Sequence, residues 1–68
     1  MGFKVKEIRE ERNMTQEELE RKSGISRQTI SAIENGKVKP GDVKVGTLMA
    51  LASALDTTID QIFFERAV

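Results

Sequence analysis

Positions 28, 31, 32 and 35 put Gln28, Ser31, Ala32 and Asn35 on one stripe of a helix. An amide-bearing face with small residues between the amides can hydrogen-bond to the edges of nucleic-acid bases at close range. A merely polar, solvated face has the same composition, and composition alone leaves both readings open. Arg9 and Glu34 each follow an isoleucine on an inward stripe, Arg9 one residue after Ile8 and Glu34 four after Ile30. Inward charges are rare unless paired, so one ion pair joining two helices is the economical reading, with a structural rather than a catalytic role. The acidic runs Glu10-Glu11 and Glu17-Glu18-Glu20 bring no second ligand type with them. They read as solvated faces whose negative charge suits helix N-termini. With no His and no Cys, the commonest general base, the thiolate nucleophile and the usual zinc ligands are absent. The expectation is therefore no enzyme, no metal and no cofactor.

The elements that must carry these residues are five helical segments, an all-α chain. Val5, Ile8, Arg9 and Arg12 share the stripe of a first helix over about Lys4 to Arg12. Thr15 with Glu18 three residues later forms a capping box for a second helix, which Gly24 ends. Ser26 caps a third helix, RQTISAIEN, and Gly36 ends it. KVKPGDVKVG reads as a loop, and a fourth helix follows from about Val45. Thr58 and Gln61 form another capping box for a short fifth helix, IDQIFFE. No alternating pattern announces a strand. Only Gly24 and Ile25 separate Ser23 from the Ser26 cap, so the second and third helices must cross steeply. A short Gly-containing link of this kind is the helix-turn-helix arrangement, whose second helix is free to enter a major groove.

Net charge is zero, but its distribution is uneven. Residues 21–44 hold six basic groups against two acidic ones, and both flanking thirds are net negative. The 68 residues predict one domain spanning 1–68. No stretch has the apolar length of a membrane span or the pattern of a leader, so a cytoplasmic protein without membrane contact is expected. Met14, Ile25, Ile30, Ile33, Leu48, Leu51, Ala52, Leu55, Ile59, Ile62 and Phe63 read as core. Phe64 and Val68 exceed what so small a bundle can enclose and are expected at a dimer interface.

The segment TQEELERKSGISRQTISAIENGKVKP resembles the lambda-repressor-like family of phage repressors, Cro proteins and bacterial xenobiotic-response-element regulators. IREERNMTQEEL before it and TLMALASALDTTIDQIF after it follow the family's order, so the resemblance covers nearly the whole chain. It implies a compact five-helix domain that binds double-stranded DNA. The expected role is a transcriptional repressor acting as a homodimer on a palindromic operator. An antitoxin that binds both DNA and a partner protein is the alternative. No small-molecule effector is implied.

By position, the resemblance assigns base reading to Arg27, Gln28, Ser31 and Ala32, and backbone contacts to Gln16, Asn35, Lys37 and Lys39. Thr29 and Lys44 are further backbone candidates. The chemistry agrees, since Arg pairs with guanine O6 and N7 and Gln with adenine N6 and N7. The family also shows an ion pair like Arg9–Glu34. Three features depart from its pattern. Glu20 replaces a small residue between the motif helices, and either its carboxylate reaches water along the interface or the helix crossing shifts slightly. Ser23 replaces an aliphatic residue and is expected to thin the core at the turn. The loop before the fourth helix is about three residues longer than usual, which leaves it either a carrier of extra phosphate contacts or tolerated slack.

Overall fold

The computed structural model describes residues 2–64. In chain order it contains β1 (Gly2–Phe3), α1 (Val5–Glu11), α2 (Gln16–Ser23), α3 (Arg27–Glu34), a 3-10 turn (Pro40–Asp42), α4 (Val45–Ala54), α5 (Ile59–Ile62) and β2 (Phe63–Phe64). The five helices thus appear in the expected order and the fold is all-α in class.

Each helix begins and ends for a local reason. The Thr15–Glu18 capping box is complete, with the Thr15 hydroxyl accepting from Glu18 N and the Glu18 side chain accepting from Thr15 N. Ser26 and Thr58 cap α3 and α5 by accepting from Thr29 N and Gln61 N. Gly24 ends α2 at φ +76°, the left-handed conformation that glycine adopts without penalty. The ends of α1, α3 and α4 share one geometry. Met14 N donates to Arg9 O, Lys37 N to Ala32 O and Thr57 N to Ala52 O, each closing a six-residue turn over a left-handed residue. Those residues are Asn13, Gly36 and Asp56, and Asn and Asp are the side chains that best tolerate this conformation.

Val5, Leu19, Ile30, Leu51, Leu55 and Ile62 are fully enclosed, and Ile8, Met14, Ile33, Leu48 and Ala52 complete the core. Leu19, absent from the residues assigned to the core by pattern, is among its best-buried members. Ile25, Ile59 and Phe63 are half-buried against it.

Two expectations about the chain ends need correction. The fifth helix stops at Ile62 instead of running through IDQIFFE, and the next two residues are extended. They pair antiparallel with Gly2–Phe3, in the register Gly2 to Phe64 and Phe3 to Phe63. A small two-stranded ribbon therefore exists where no strand was expected. The cause is long-range. Lys4 N takes the Ile62 carbonyl at 2.7 Å, and the Phe3 and Phe63 rings stack at 5.7 Å between centroids. Two residues per strand are too few to leave an alternating signature in sequence.

The long loop is not slack. Val38 and Val43 flank the 3-10 turn and are half-buried against the core, while Lys37, Lys39 and Lys44 are exposed. Asp42 N donates to Lys39 O at 2.9 Å, which closes the turn.

Candidate nucleic-acid interface

The site begins with the buried pair. Arg9 Nε donates to Glu34 Oε2 at 2.7 Å and Arg9 Nη2 to Glu34 Oε1 at 3.1 Å, a bidentate contact across α1 and α3. The Glu34 side chain is only 2% exposed and that of Arg9 12%. Arg9 Nη1 also donates to Met14 O at 2.8 Å, at the start of the link into α2. The hydrogen bonds to Glu34 raise the Arg9 pKa above its already high ordinary value and outweigh the opposing effect of burial. The guanidinium therefore keeps its charge throughout.

Glu34 accepts a third bond, from Gln16 Nε2 at 3.0 Å. Gln16 Oε1 in turn accepts from Arg27 Nε at 3.4 Å, at the first residue of α3. A continuous chain of side chains, Arg9 to Glu34 to Gln16 to Arg27, thus runs from the interior to the surface. It clamps both ends of α3, Arg27 at its start and Glu34 at its end, to the start of α2.

Outward from this chain, Gln16, Arg27, Gln28, Ser31, Ala32, Asn35 and Lys37 line one shallow open concavity of about 650 Å³. All four residues expected to read bases are among them, with three of the six expected backbone contacts. Thr29 is exposed on the first turn of α3, with its Oγ1 accepting from the Ser26 hydroxyl at 2.9 Å. Lys39 and Lys44 are exposed along the following loop, outside the concavity. Ser31 accepts from Asn35 Nδ2 at 3.1 Å, so the middle of the α3 face is partly preorganised.

The two departures inside the motif acquire definite roles. Glu20 does not merely reach water, because its Oε2 accepts the backbone N–H of Arg27 at 2.8 Å. It satisfies one of the donors left free at the start of α3 and places negative charge at the helix's positive end. Ser23 accepts from Ile25 N through its hydroxyl at 3.0 Å, a local bond within the turn where the lost aliphatic residue was expected to thin the core. Glu17 lies 3.5 Å from Arg27 Nη1, a solvent-exposed pair. Beyond the motif, Arg12 donates to the carbonyls of Leu55 and Asp56 and so caps the C-terminal end of α4.

The expected dimer residues fall at the margin. Backbone pairing places Phe64 in β2, while its side chain and the whole of Val68 lie outside the described residues. Val45 and Met49, one turn apart on α4, are 64% and 57% exposed. Their i, i+4 spacing was legible, but nothing in the sequence told this face from a core face. Among the described residues no group of three or more His, Cys, Asp or Glu could hold a metal ion, and no helix is long and apolar enough to cross a membrane.

Two helices joined by a short glycine turn, the second with an exposed, amide-bearing face, define a helix-turn-helix protein. A family model for helix-turn-helix proteins matches residues 5–62, and the chain belongs to this family of DNA-binding transcriptional regulators. It is 36% identical over 63 residues to an HTH-type transcriptional regulator of Archaeoglobus fulgidus, covering 93% of this chain and 84% of that one. A second HTH-type regulator, from Methanocaldococcus jannaschii, is 57% identical over 40 residues, which is 59% of this chain and 61% of the other. The immunity repressor protein of Bacillus phage phi105 is 34% identical over all 68 residues, and the match spans 45% of that repressor. Among solved structures, the restriction-modification controller protein C.AhdI of Aeromonas hydrophila superposes with a TM-score of 0.78 at 28% identity, covering 88% of this chain and 86% of that one.

Proposed function

We propose that this protein is a transcriptional repressor that binds a palindromic DNA operator as a homodimer, reading bases with Arg27, Gln28, Ser31 and Ala32. The observation that carries the reading is the concavity on α3, where these four side chains meet Gln16, Asn35 and Lys37. Arg and Gln side chains able to pair bidentately, with small neighbours, suit the major groove, and in this reading Gln16, Thr29, Asn35, Lys37, Lys39 and Lys44 contact phosphates. The similarity to a phage immunity repressor supports repression as the outcome.

Dimerisation follows from information content. One helix of this length contacts too few base pairs to find a site in a genome. Two helices related by a two-fold axis read half-sites about 34–36 Å apart on one face of the duplex. The interface is proposed at the C-terminal end, with Phe64 and Val68.

Selection of bound sequences from a pool of randomised duplexes tests the reading, with sedimentation of free protein and complex beside it. Enrichment of a palindrome and a complex holding two chains per duplex are expected. A single non-repeated half-site, bound by one chain, would overturn the homodimer. Failure to enrich any sequence would overturn base reading by α3. If Phe64→Glu still sediments as a dimer, Phe64 lies outside the interface.

A further inference from the structure

Arg27, the first residue of α3, is held from α2 at two points by carboxylates. Glu20 Oε2 accepts its backbone N–H at 2.8 Å, and Glu17 Oε1 lies 3.5 Å from its guanidinium. Gln16 takes a third point, accepting from Arg27 Nε at 3.4 Å. A free N–H at a helix start and an exposed guanidinium are the two groups to which phosphate oxygens bind most readily. Here both are occupied by acids of the same chain, at the edge of the surface that would meet DNA. Neither acid is needed to hold the buried Arg9–Glu34 pair, which is clamped through Gln16.

We propose that Glu17 and Glu20 are specificity-determining residues that keep the phosphate backbone off Arg27. The proposal rests on Arg27 as a base-reading residue. A phosphate approaching Arg27 carries full negative charge and must come well within the screening length of both carboxylates. The O6 and N7 edge of guanine is neutral, is not repelled, and accepts two N–H groups at once. The carboxylates therefore discriminate between an anionic and a neutral acceptor for the same guanidinium. On random DNA, Arg27 stays with Glu17. At a site with a guanine in reach, it exchanges Glu17 for the base.

The test is the salt dependence of binding to a random-sequence duplex and to a site selected from a randomised pool. Wild type is compared with Glu17→Gln, Glu20→Gln and the double variant. Gln at position 20 can still accept the Arg27 N–H through its side-chain oxygen, so the start of α3 stays tied. Glu11→Gln is the charge control, since Glu11 lines a separate hollow with Phe3, Lys4 and Glu7. For the double variant on random duplex, the slope of log K against log salt should steepen by about 0.9, the value of one added phosphate contact. Affinity for random duplex at low salt should rise severalfold, the slope on the selected site should stay as in wild type, and adding Arg27→Ala should abolish the change. An unaltered slope in the double variant overturns the proposal. So does equal steepening in Glu11→Gln, or steepening that survives Arg27→Ala. Should Arg27→Ala alone weaken selected and random duplexes equally, base reading by Arg27 fails. Arg27 then already meets phosphate in wild type and the proposal fails with that reading, whereas an unaltered double-variant slope with base reading by Arg27 intact overturns the proposal alone.

Discussion

Arg9 and Glu34, 25 positions apart in the chain, face each other through two hydrogen bonds of 2.7 and 3.1 Å with almost no access to water. Removing either partner strands the other charge in the interior, and such losses cost about 3–5 kcal/mol. Arg9→Met and Glu34→Leu should each lower the melting temperature sharply, and the double variant should recover most of the loss. Recovery stays incomplete because Met14 O and the Gln16 amide also lose their partners. Thermal melts of the four proteins measure this, and additive losses would mean that the pair is not coupled.

The capping box of α2 supplies a pH dependence. The hydrogen bond from Thr15 N, followed by that from the Thr15 hydroxyl, lowers the Glu18 pKa below its ordinary value. A depressed carboxylate contributes stability that is complete above the ordinary, unfolded-state carboxylate value and is lost as pH falls through the lower folded one. Thr15→Ala should destabilise by about 1 kcal/mol near neutrality. The difference between Glu18→Gln and wild type should shrink as acid titrates the box. Denaturant melts from neutral pH into the acid range check it, and a gap that widens on acidification would contradict the sign.

Gly24 ends α2 at φ +76° with nothing within 4 Å of where a side chain would begin. Any penalty for Gly24→Ala is therefore conformational rather than steric, at about 1–2 kcal/mol. Gly36, at φ +69° and equally open, should behave alike. Gly41 is also open but has no positive φ, and Gly41→Ala should be close to neutral. Equilibrium unfolding of the three alanine variants separates the cases.

At the interface, Arg27→Ala or Gln28→Ala should cost about 1–3 kcal/mol on the preferred DNA site and relax the choice of base at the position each contacts. Lys37→Ala and Lys39→Ala should weaken binding to all sequences alike, each lowering the magnitude of the salt slope by about one. Anisotropy titrations over a range of salt distinguish the two classes.

Much of this fold was legible because its signals are local. The Thr15–Glu18, Ser26 and Thr58 caps act within three residues, and Gly24 and Gly36 mark helix ends wherever they occur. Periodicity turned Arg9 and Glu34 inward, the cost of burying a lone charge made a pair the economical reading, and the family resemblance implied the same pair. The short link from Ser23 to the Ser26 cap likewise announced two helices in close succession, and α3 does carry an exposed face. Helical spacing gave the stripe Gln28, Ser31, Ala32 and Asn35, whereas Gln16, Arg27 and Lys37 beside it came from the family resemblance.

Tertiary structure decided what depends on distant groups. Whether Glu20 reaches water or takes the Arg27 N–H is set by the crossing of α2 and α3, which brings its Oε2 within 2.8 Å of that donor. Arg12 finds the carbonyls of Leu55 and Asp56, just past the end of α4 and 43 and 44 residues away. Leu19 became core because α2 packs against both α3 and α4. The extension of Phe63 and Phe64 needs Gly2–Phe3 beside them and Lys4 on the Ile62 carbonyl. Periodicity and capping report on neighbours within one or two turns. A hydrogen bond across the fold is selected by the three-dimensional position of its partner, which no local pattern of residue types encodes.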